Sequence, residues 1–445
     1  MWFFIRPEEL SIKSWHLFII FLYTIFGIIF NLLPAGQLAL LSILICTLTN
    51  TLKLEECLSS FSDEIVWLMV FSFLISHGFT KTTLGIRIAY LLIKLLGKST
   101  LGLAYSLIFT DLIFSPVIPS VTARGCGILF PIAKSLCHEY QSKGTTNFFM
   151  IICFQSNVIT SAMFVTAMAA NSIAVKLSVP FGVNITWLQW ATAASVPGIV
   201  CLIVMPLIVY YYVHPPAVKC LDVVPTLAKA KLKAIGPINI DEKLVILIFF
   251  ILILLWIYGK KLFNIDIATT ALIGLCSLLS LRIIKFEEVI SDKNIWHLFI
   301  WFSTILMISS FLSKFGITTW VSNNLKLSFG HFSPVTLFCL LSLIYFYIHY
   351  IFASTTAHII VLFPSFLSLF IELGVNEQIA TLILIFLSIF SSGLTHFGLS
   401  SAPIFYSNSY LKVKTWWYSG FIISIMYIII WITIGSIWWK IIGLW

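Results

Sequence analysis

Long apolar runs fill most of this chain, and the polar segments between them are short; the longest extends from His214 to Lys243. Hydrophobic residues make up 60% of the sequence and charged residues only 10%, with a mean hydropathy of +1.04. Soluble domains carry about 25% charged residues, so this chain has too few to cover an apolar interior in water. The sequence therefore predicts an all-α polytopic membrane protein without a large soluble domain.

A membrane span needs about 20 apolar residues. Segments that fit this description as single spans are residues 15–33, 37–52, 64–79, 84–97, 187–213, 243–258, 265–282, 295–312 and 416–439. Four further regions differ, because each has two apolar arms around a central break rich in Ser, Thr, Gly or Pro. An arm of about 15 residues covers roughly 22 Å as a helix, less than the ~30 Å hydrocarbon core. We predict re-entrant hairpins at 101–139 and 333–372 and broken helices at 147–176 and 378–410.

A short polar phrase occurs twice, at 120–124 (Ser-Val-Thr-Ala-Arg) and, about 234 positions later, at 354–358 (Ser-Thr-Thr-Ala-His). Each copy is followed by a second polar interruption, which contains Thr160 in the first half and Thr395 in the second. The segments that precede Trp67 and Trp296 also resemble each other, and they lie about as far apart in the sequence as the two polar phrases. Paired breaks of this kind are typical of inverted repeats with a substrate site near the middle of the bilayer.

The repeat divides the chain into a first inverted repeat, residues 1–213, a linker at 214–242, and a second inverted repeat, residues 243–445. The linker contains Lys229, Lys231 and Lys233, which favours the cytoplasmic side under the positive-inside rule. The net charge of +9 is accordingly attributed to cytoplasmic loops, and no nucleic-acid partner is expected.

The two tips combine hydroxyl side chains with helix ends, a chemistry that suits an anion. The first turn of a helix leaves N–H groups unpaired and carries about half a positive charge. The hydroxyls either cap the second arm of each hairpin or bind a ligand as well. We expect two tips and two breaks to surround one dicarboxylate. The predicted substrate-binding residues there are Ser120, Thr122, Thr160, Ser354, Thr355, Thr356 and Thr395.

Three other polar residues have two interpretations each. Asn157 either binds substrate or a cation, or caps a helix. Arg124 either holds a substrate carboxylate or pairs with Asp111 in a structural role. His358 is either a satisfied interior histidine or a group that responds to pH.

Several motifs resemble the divalent anion/sodium symporter family, in its citrate and 2-oxoglutarate/malate translocator branch. They lie at 119–124, 160–171, 352–358 and 393–396, and the similarity covers nearly the whole chain. The resemblance implies about eleven transmembrane helices plus two re-entrant hairpins, a homodimer, and an elevator mechanism in which a domain carrying the hairpins slides against a fixed scaffold. It also implies dicarboxylate anions as substrates. The Ile-, Phe- and Lys-rich composition favours a bacterial inner membrane as the location, with a plastid envelope as the alternative.

The tips depart from the Ser-Asn-Thr pattern of that family at their central positions, which are Val121 and Thr355. In sodium-coupled members the tips contribute to cation sites, and Val121 has no side-chain oxygen. The sequence therefore favours sodium-independent antiport, with a sodium- or proton-coupled symporter as the alternative. No metal or other cofactor is expected.

Two other functional classes fit less well. A polytopic membrane enzyme would need catalytic residues in a sizeable external loop, and no motif for covalent chemistry is present, so we expect no enzymatic activity. A cation/proton antiporter would need buried acids at the breaks, where this chain has hydroxyls, amides, Arg124 and histidines.

Overall fold

The computed structural model describes residues 6–29, 32–140, 142–218, 223–329, 334–352 and 354–444. Across these ranges the chain is helical and forms no β-strand. Residues 1–5, 333 and 445, which lie at the ends of predicted units, and Ala353 of the second tip are outside the described residues.

In its described residues, the first half contains ten α-helices before the linker. They are α1 (Ile12–Ile29), α2 (Ala35–Leu48), α3 (Leu54–Leu58), α4 (Glu64–Lys81), α5 (Leu84–Leu96), α6 (Thr100–Phe114), α7 (Phe130–Tyr140), α8 (Lys143–Met163), α9 (Ala169–Ser178) and α10 (Trp187–Ile208). The linker contains α11 (Val223–Ile235).

The second half repeats the same order of long and short helices. It consists of α12 (Ile240–Phe263), α13 (Ile267–Ser280), α14 (Phe286–Ser291), α15 (Lys293–Lys314), α16 (Ile317–Phe329), α17 (Pro334–Tyr347), α18 (Thr355–Glu372), α19 (Glu377–Ser391), α20 (Ala402–Ser407), α21 (Val413–Ile430) and α22 (Ser436–Ile441). Helices α1–α10 correspond in order to α12–α21. The opposite orientation of the two halves in the membrane stays a prediction.

Short polar residues begin many of these helices, as the capping of free N–H groups requires. Asp63 accepts a hydrogen bond from the backbone N–H of Ile65 at the start of α4, at 2.9 Å. Asp292 does the same for Asn294 at the start of α15, the corresponding helix. The similar segments before Trp67 and Trp296 both contain a Ser-Asp pair, at 62–63 and 291–292. This pair is therefore a repeated helix start.

Helices α8 and α19 form the centre of the protein. Residues 148–163 of α8 are all buried, as are residues 384–391 of α19 and the four residues that follow it. Both helices are followed by irregular backbone, at 164–168 in the first half and at 392–401 in the second. Backbone of this kind at membrane depth needs surrounding protein, and both segments are mostly buried.

Helix α5 differs from the predicted span at 84–97. Its 13 residues cover only about 20 Å, and it packs against α11 of the linker. Arg87 of α5 forms a buried ion pair with Glu242, with an Nη2–Oε2 distance of 3.0 Å. The buried charged pair fixes the junction of the linker and α12 to the first half, because loss of either partner would leave the other charge uncompensated.

Four helical segments are each long and apolar enough to cross a membrane: Trp187–Val213, Lys293–Lys314, Thr355–Glu372 and Val413–Ile441. A fifth is added if the bent pair Leu54–Ser62 and Glu64–Lys81 forms one span. Shorter apolar helices of 10–17 residues account for much of the remainder. These helices agree with a polytopic membrane protein. The predicted total of about eleven spans stays a prediction.

Candidate functional site

Both hairpin tips contact one irregular stretch of backbone, Ser392–Ser401, which we call the central segment. The hydroxyl of Thr122 in the first tip donates a hydrogen bond to the Ser400 hydroxyl at 2.9 Å. The hydroxyl of Thr355 in the second tip donates to the Gly398 carbonyl at 3.1 Å. The two tips, which lie more than 200 positions apart in sequence, therefore meet within two residues of the central segment.

The first tip lies between the end of α6 at Phe114 and a helix that resumes at Val121. Ser120 caps the new helix, because its Oγ accepts a hydrogen bond from the backbone N–H of Ala123 at 3.1 Å. Residues 123–129 form a π-helical turn before α7. Turns of this kind are rare in proteins, and those that occur are often at functional sites. This one contains Arg124.

Arg124 is fully buried and pairs with Asp111 of α6, at an Nε–Oδ1 distance of 3.0 Å. Its Nη1 donates to the carbonyls of Ile118 and Ala167, and its Nη2 donates to Ser161 Oγ at 2.9 Å. Four of the five guanidinium N–H groups are thereby occupied. Of the two sequence interpretations, this geometry agrees with the structural pairing, because no pair of N–H groups is left for bidentate binding of a carboxylate.

Asn157 and Thr160 of α8 converge on the same carboxylate. Oδ2 of Asp111 accepts hydrogen bonds from Asn157 Nδ2 at 3.1 Å and from Thr160 Oγ1 at 2.6 Å. Both side chains are fully buried. Thr160 lies inside α8, three residues before its end at Met163, and its hydroxyl faces Asp111 of α6. Asp111 and its three donors, Arg124, Asn157 and Thr160, form what we call the Asp111 cluster.

The Asp111 cluster extends into the second half of the chain through Ser401. The Ser401 hydroxyl donates to Asn157 Oδ1 at 2.9 Å. Gly125 lies against the same oxygen, and a Cβ placed there would be only 2.7 Å from it. A side chain at this position would displace Asn157 or separate the tip from α8.

The second tip is built differently. Ser354 precedes α18 with extended backbone, but its side chain makes no capping hydrogen bond. Thr356 in the first turn is half-buried, whereas Thr355 is buried. His358 is fully buried and its Nε2 lies 2.9 Å from the Tyr345 carbonyl. Because a carbonyl only accepts, the ring proton is on Nε2.

Thr395 lies within the central segment and is fully buried, and its hydroxyl makes no hydrogen bond to any described residue. Nearby, Gln155 of α8 donates to the Gly393 carbonyl at 3.0 Å. Tyr427 of α21 donates to the Gln155 side-chain oxygen at 2.8 Å. These bonds hold α8, the central segment and α21 together.

The predicted residues thus fall into two layers. Partly accessible hydroxyls form an outer layer of Ser120, Thr122, Ser354 and Thr356. The inner layer is buried and consists of Arg124, Asn157, Thr160, Thr355, His358 and Thr395. Only the outer layer can reach a ligand from outside without a rearrangement.

Reasoning from the sequence missed Asp111 as the centre of a cluster, and it missed the pair Ser400 and Ser401. Ser400 is exposed and belongs to the outer layer. Two adjacent serines inside the predicted break at 378–410 were a usable signal. Nothing in the sequence showed that Asn157 and Thr160 face Asp111.

Two cavities lie away from this site. One of about 390 Å³ is lined mainly by apolar side chains of α1, α15, α16, α17 and α18. The other, of about 760 Å³, lies between α17, α19 and the α21–α22 region. Neither is lined by a predicted substrate-binding residue.

Helical hairpins and broken helices around a shared polar centre define a class of membrane transporters. The chain shares its fold with two solved transporters. One is YdaH of Alcanivorax borkumensis, with TM-score 0.57, 10% identity and 86% of each chain covered. The other is MtrF of Neisseria gonorrhoeae, with TM-score 0.60, 12% identity and 89% of this chain and 84% of that chain covered.

A family model described as the sodium:sulfate symporter transmembrane region matches residues 1–445. The chain therefore belongs to this family, which confirms the resemblance drawn from the motifs. It is 43% identical to the putative malate transporter YflS of Bacillus subtilis over all of this chain and 94% of that protein. It is also 43% identical to the chloroplastic dicarboxylate transporter 1 of Spinacia oleracea, over all of this chain and 80% of that protein.

Proposed function

We propose that this protein is a secondary active transporter that exchanges dicarboxylates of the 2-oxoglutarate and malate type, independently of sodium. The observation that carries the proposal is the meeting of both hairpin tips at the central segment, through Thr122–Ser400 and Thr355–Gly398. The dicarboxylate class is supported by relatives that are named as malate and dicarboxylate transporters.

The outer layer suits a small anion. Helix starts near Val121 and Thr355 bring backbone N–H groups to the tips, and each helix end carries a partial positive charge. The hydroxyls of Ser354 and Thr356 add donors that bind carboxylate oxygens. Charge at the site thus comes mainly from helix ends, because the guanidinium of Arg124 is occupied by Asp111 and other acceptors.

The vacant carrier would expose uncompensated helix ends to the apolar surface over which it moves, at a cost in free energy. A bound dicarboxylate removes that cost, so only the loaded form crosses and net exchange results. Val121 is 5% exposed and offers no oxygen to a cation, which supports independence from sodium. A sodium- or proton-coupled symporter is the alternative.

We also propose an elevator movement in a homodimer within the bacterial inner membrane. The Asp111 cluster, the Ser401–Asn157 bond and the Gln155 bonds connect the first hairpin, α8, the central segment and α21. Elements joined by buried hydrogen bonds are expected to move as one body. That body would carry both tips past a scaffold formed by helices such as α1–α4 and α12–α15.

Uptake of labelled 2-oxoglutarate into proteoliposomes tests the mechanism. Two variables are crossed: malate inside the vesicles or absent, and sodium or choline outside. We expect uptake only with internal malate and at equal rates in sodium and choline. Uptake into empty vesicles that needs a sodium gradient would instead establish the symporter.

Charge at the tips tests the anion site itself. Thr122→Asp places a carboxylate where the substrate carboxylate is expected. Thr122→Asn is the matched control, because the Asn side chain has nearly the same size as Asp and no charge. We expect uptake to be lost with Asp and largely retained with Asn. Equal uptake by both variants would contradict an anion site at the first tip.

A further inference from the structure

Helices α5 and α11 lie side by side and antiparallel on the side of the protein where the linker runs. Arg87 near the start of α5 donates hydrogen bonds to the carbonyls of Gly236 and Pro237, just past the end of α11, at 2.8 and 3.2 Å. At the other end, Thr100 after α5 donates to the Val218 carbonyl, before α11 begins. The two helices are therefore joined at both ends, and the buried Arg87 holds the end of α11 to the start of α5.

This pair presents positive charge on its outside. Lys229 and Lys233, one turn apart on α11, are exposed, as are Lys231 and Lys94 of α5. The sequence of α11 contains no acidic residue. The nearby carboxylate of Glu242 does not offset this charge, because it is buried against Arg87.

The same pair also exposes large apolar side chains. Leu95 is 70% exposed, Leu91 is 43% exposed and Val223 is 60% exposed. Leu91, Lys94 and Leu95 share one face of α5, since residues three and four apart are neighbours on a helix. A lysine between large apolar side chains on one helix face, as here on α5, is typical of helices that lie in the membrane interface.

We propose that the α5–α11 pair binds anionic phospholipids of the leaflet on the linker side. The lysines would contact the headgroup phosphates while Leu91, Leu95 and Val223 enter the boundary with the acyl chains. A lipid fits better than a free anion, because only a lipid satisfies the charged and the apolar side chains together. Each lysine near an anionic surface contributes about 1 kcal/mol, or roughly a fivefold change in affinity.

The test uses the full-length protein reconstituted in phosphatidylcholine vesicles with or without phosphatidylglycerol and then extracted in mild detergent. The lipids that copurify are measured by mass spectrometry, for the wild type and for the triple variant K229Q/K231Q/K233Q. The matched control is K260Q/K261Q/K440Q, which removes three exposed lysines at other helix ends. The variant K229R/K231R/K233R keeps the charge and tests for a folding defect.

We expect phosphatidylglycerol to be enriched over phosphatidylcholine with the wild type, the control and the arginine variant, and the enrichment to fall with added salt. In the glutamine variant of α11 the affinity for phosphatidylglycerol should fall by about 25-fold, from Lys229 and Lys233 on one face of the helix. Equal enrichment in both glutamine variants would overturn the proposal. So would displacement of the lipid by millimolar inorganic phosphate at constant ionic strength, which would indicate a site for free anions.

Discussion

Replacement of Asp111 by Asn tests whether the Asp111 cluster holds the first tip in place. The change keeps the shape of the side chain but removes its charge, and Arg124 is left as a buried cation with only neutral partners. Both side chains of the pair are at most 1% exposed. Removal of one partner from a buried pair costs about 3–5 kcal/mol, and the Asn cannot accept all three hydrogen bonds that reach the carboxylate.

The assay combines thermal unfolding in detergent with uptake by the protein that remains folded. We expect Asp111→Asn to lower the unfolding temperature and the uptake rate, because Asn157 and Thr160 lose the acceptor that orients them. Arg124→Gln alone should cost a similar amount, since it leaves the carboxylate unpaired. The double variant removes both charges and should be more stable than the sum of the two single losses indicates.

The double-mutant cycle also sets the outcome that refutes the reasoning. Strictly additive losses would mean that the two residues do not interact, despite a separation of 3.0 Å. A loss below about 1 kcal/mol for Asp111→Asn would show that the pair behaves like an exposed salt bridge. Either result would remove the Asp111 cluster as the support of the tip.

Three smaller predictions follow from individual contacts. Thr395→Val removes a buried hydroxyl that has no partner among the described residues, so we expect unchanged stability and slower uptake. Thr160→Val should instead lower the stability by about 1.5–3 kcal/mol, because it removes a hydrogen bond to a carboxylate. Thermal unfolding and uptake measured on both variants separate the two effects. Ser401→Ala should cost about 1 kcal/mol and slow exchange by loosening the contact between the halves, and unchanged exchange would place that contact outside the moving part. Arg87→Gln and Glu242→Gln should each destabilise the protein by about 3–5 kcal/mol without changing the apparent KM for 2-oxoglutarate, and a changed KM would mean that the linker reaches the site.

The positions of the tips could be predicted from the sequence because they depend on local pattern. The repeated polar phrase inside apolar runs favours helix ends, so ends near Ser120 and Ser354 were expected. The capping role of Ser120 followed from the same logic, since a cap acts within three residues. Ser354 shows the limit of this reasoning, because its side chain makes no such bond.

The roles of the inner residues could not be predicted in the same way. Arg124 had two plausible partners, and the choice of Asp111 depends on how α6 and the π-helical turn pack together. The hydrogen bond from Ser401 to Asn157 joins residues 244 positions apart, and no local pattern encodes a contact of that range.

The sequence by itself determined that this protein is a helical membrane protein of two related halves, because hydropathy and repeats are properties of the chain. It also determined the family, through motifs that extend over the whole length. Only the tertiary structure decided which polar groups are buried as mutual partners and which stay accessible. The physical reason is that burial and pairing depend on distances between helices, and those distances are set by the packing of the whole fold.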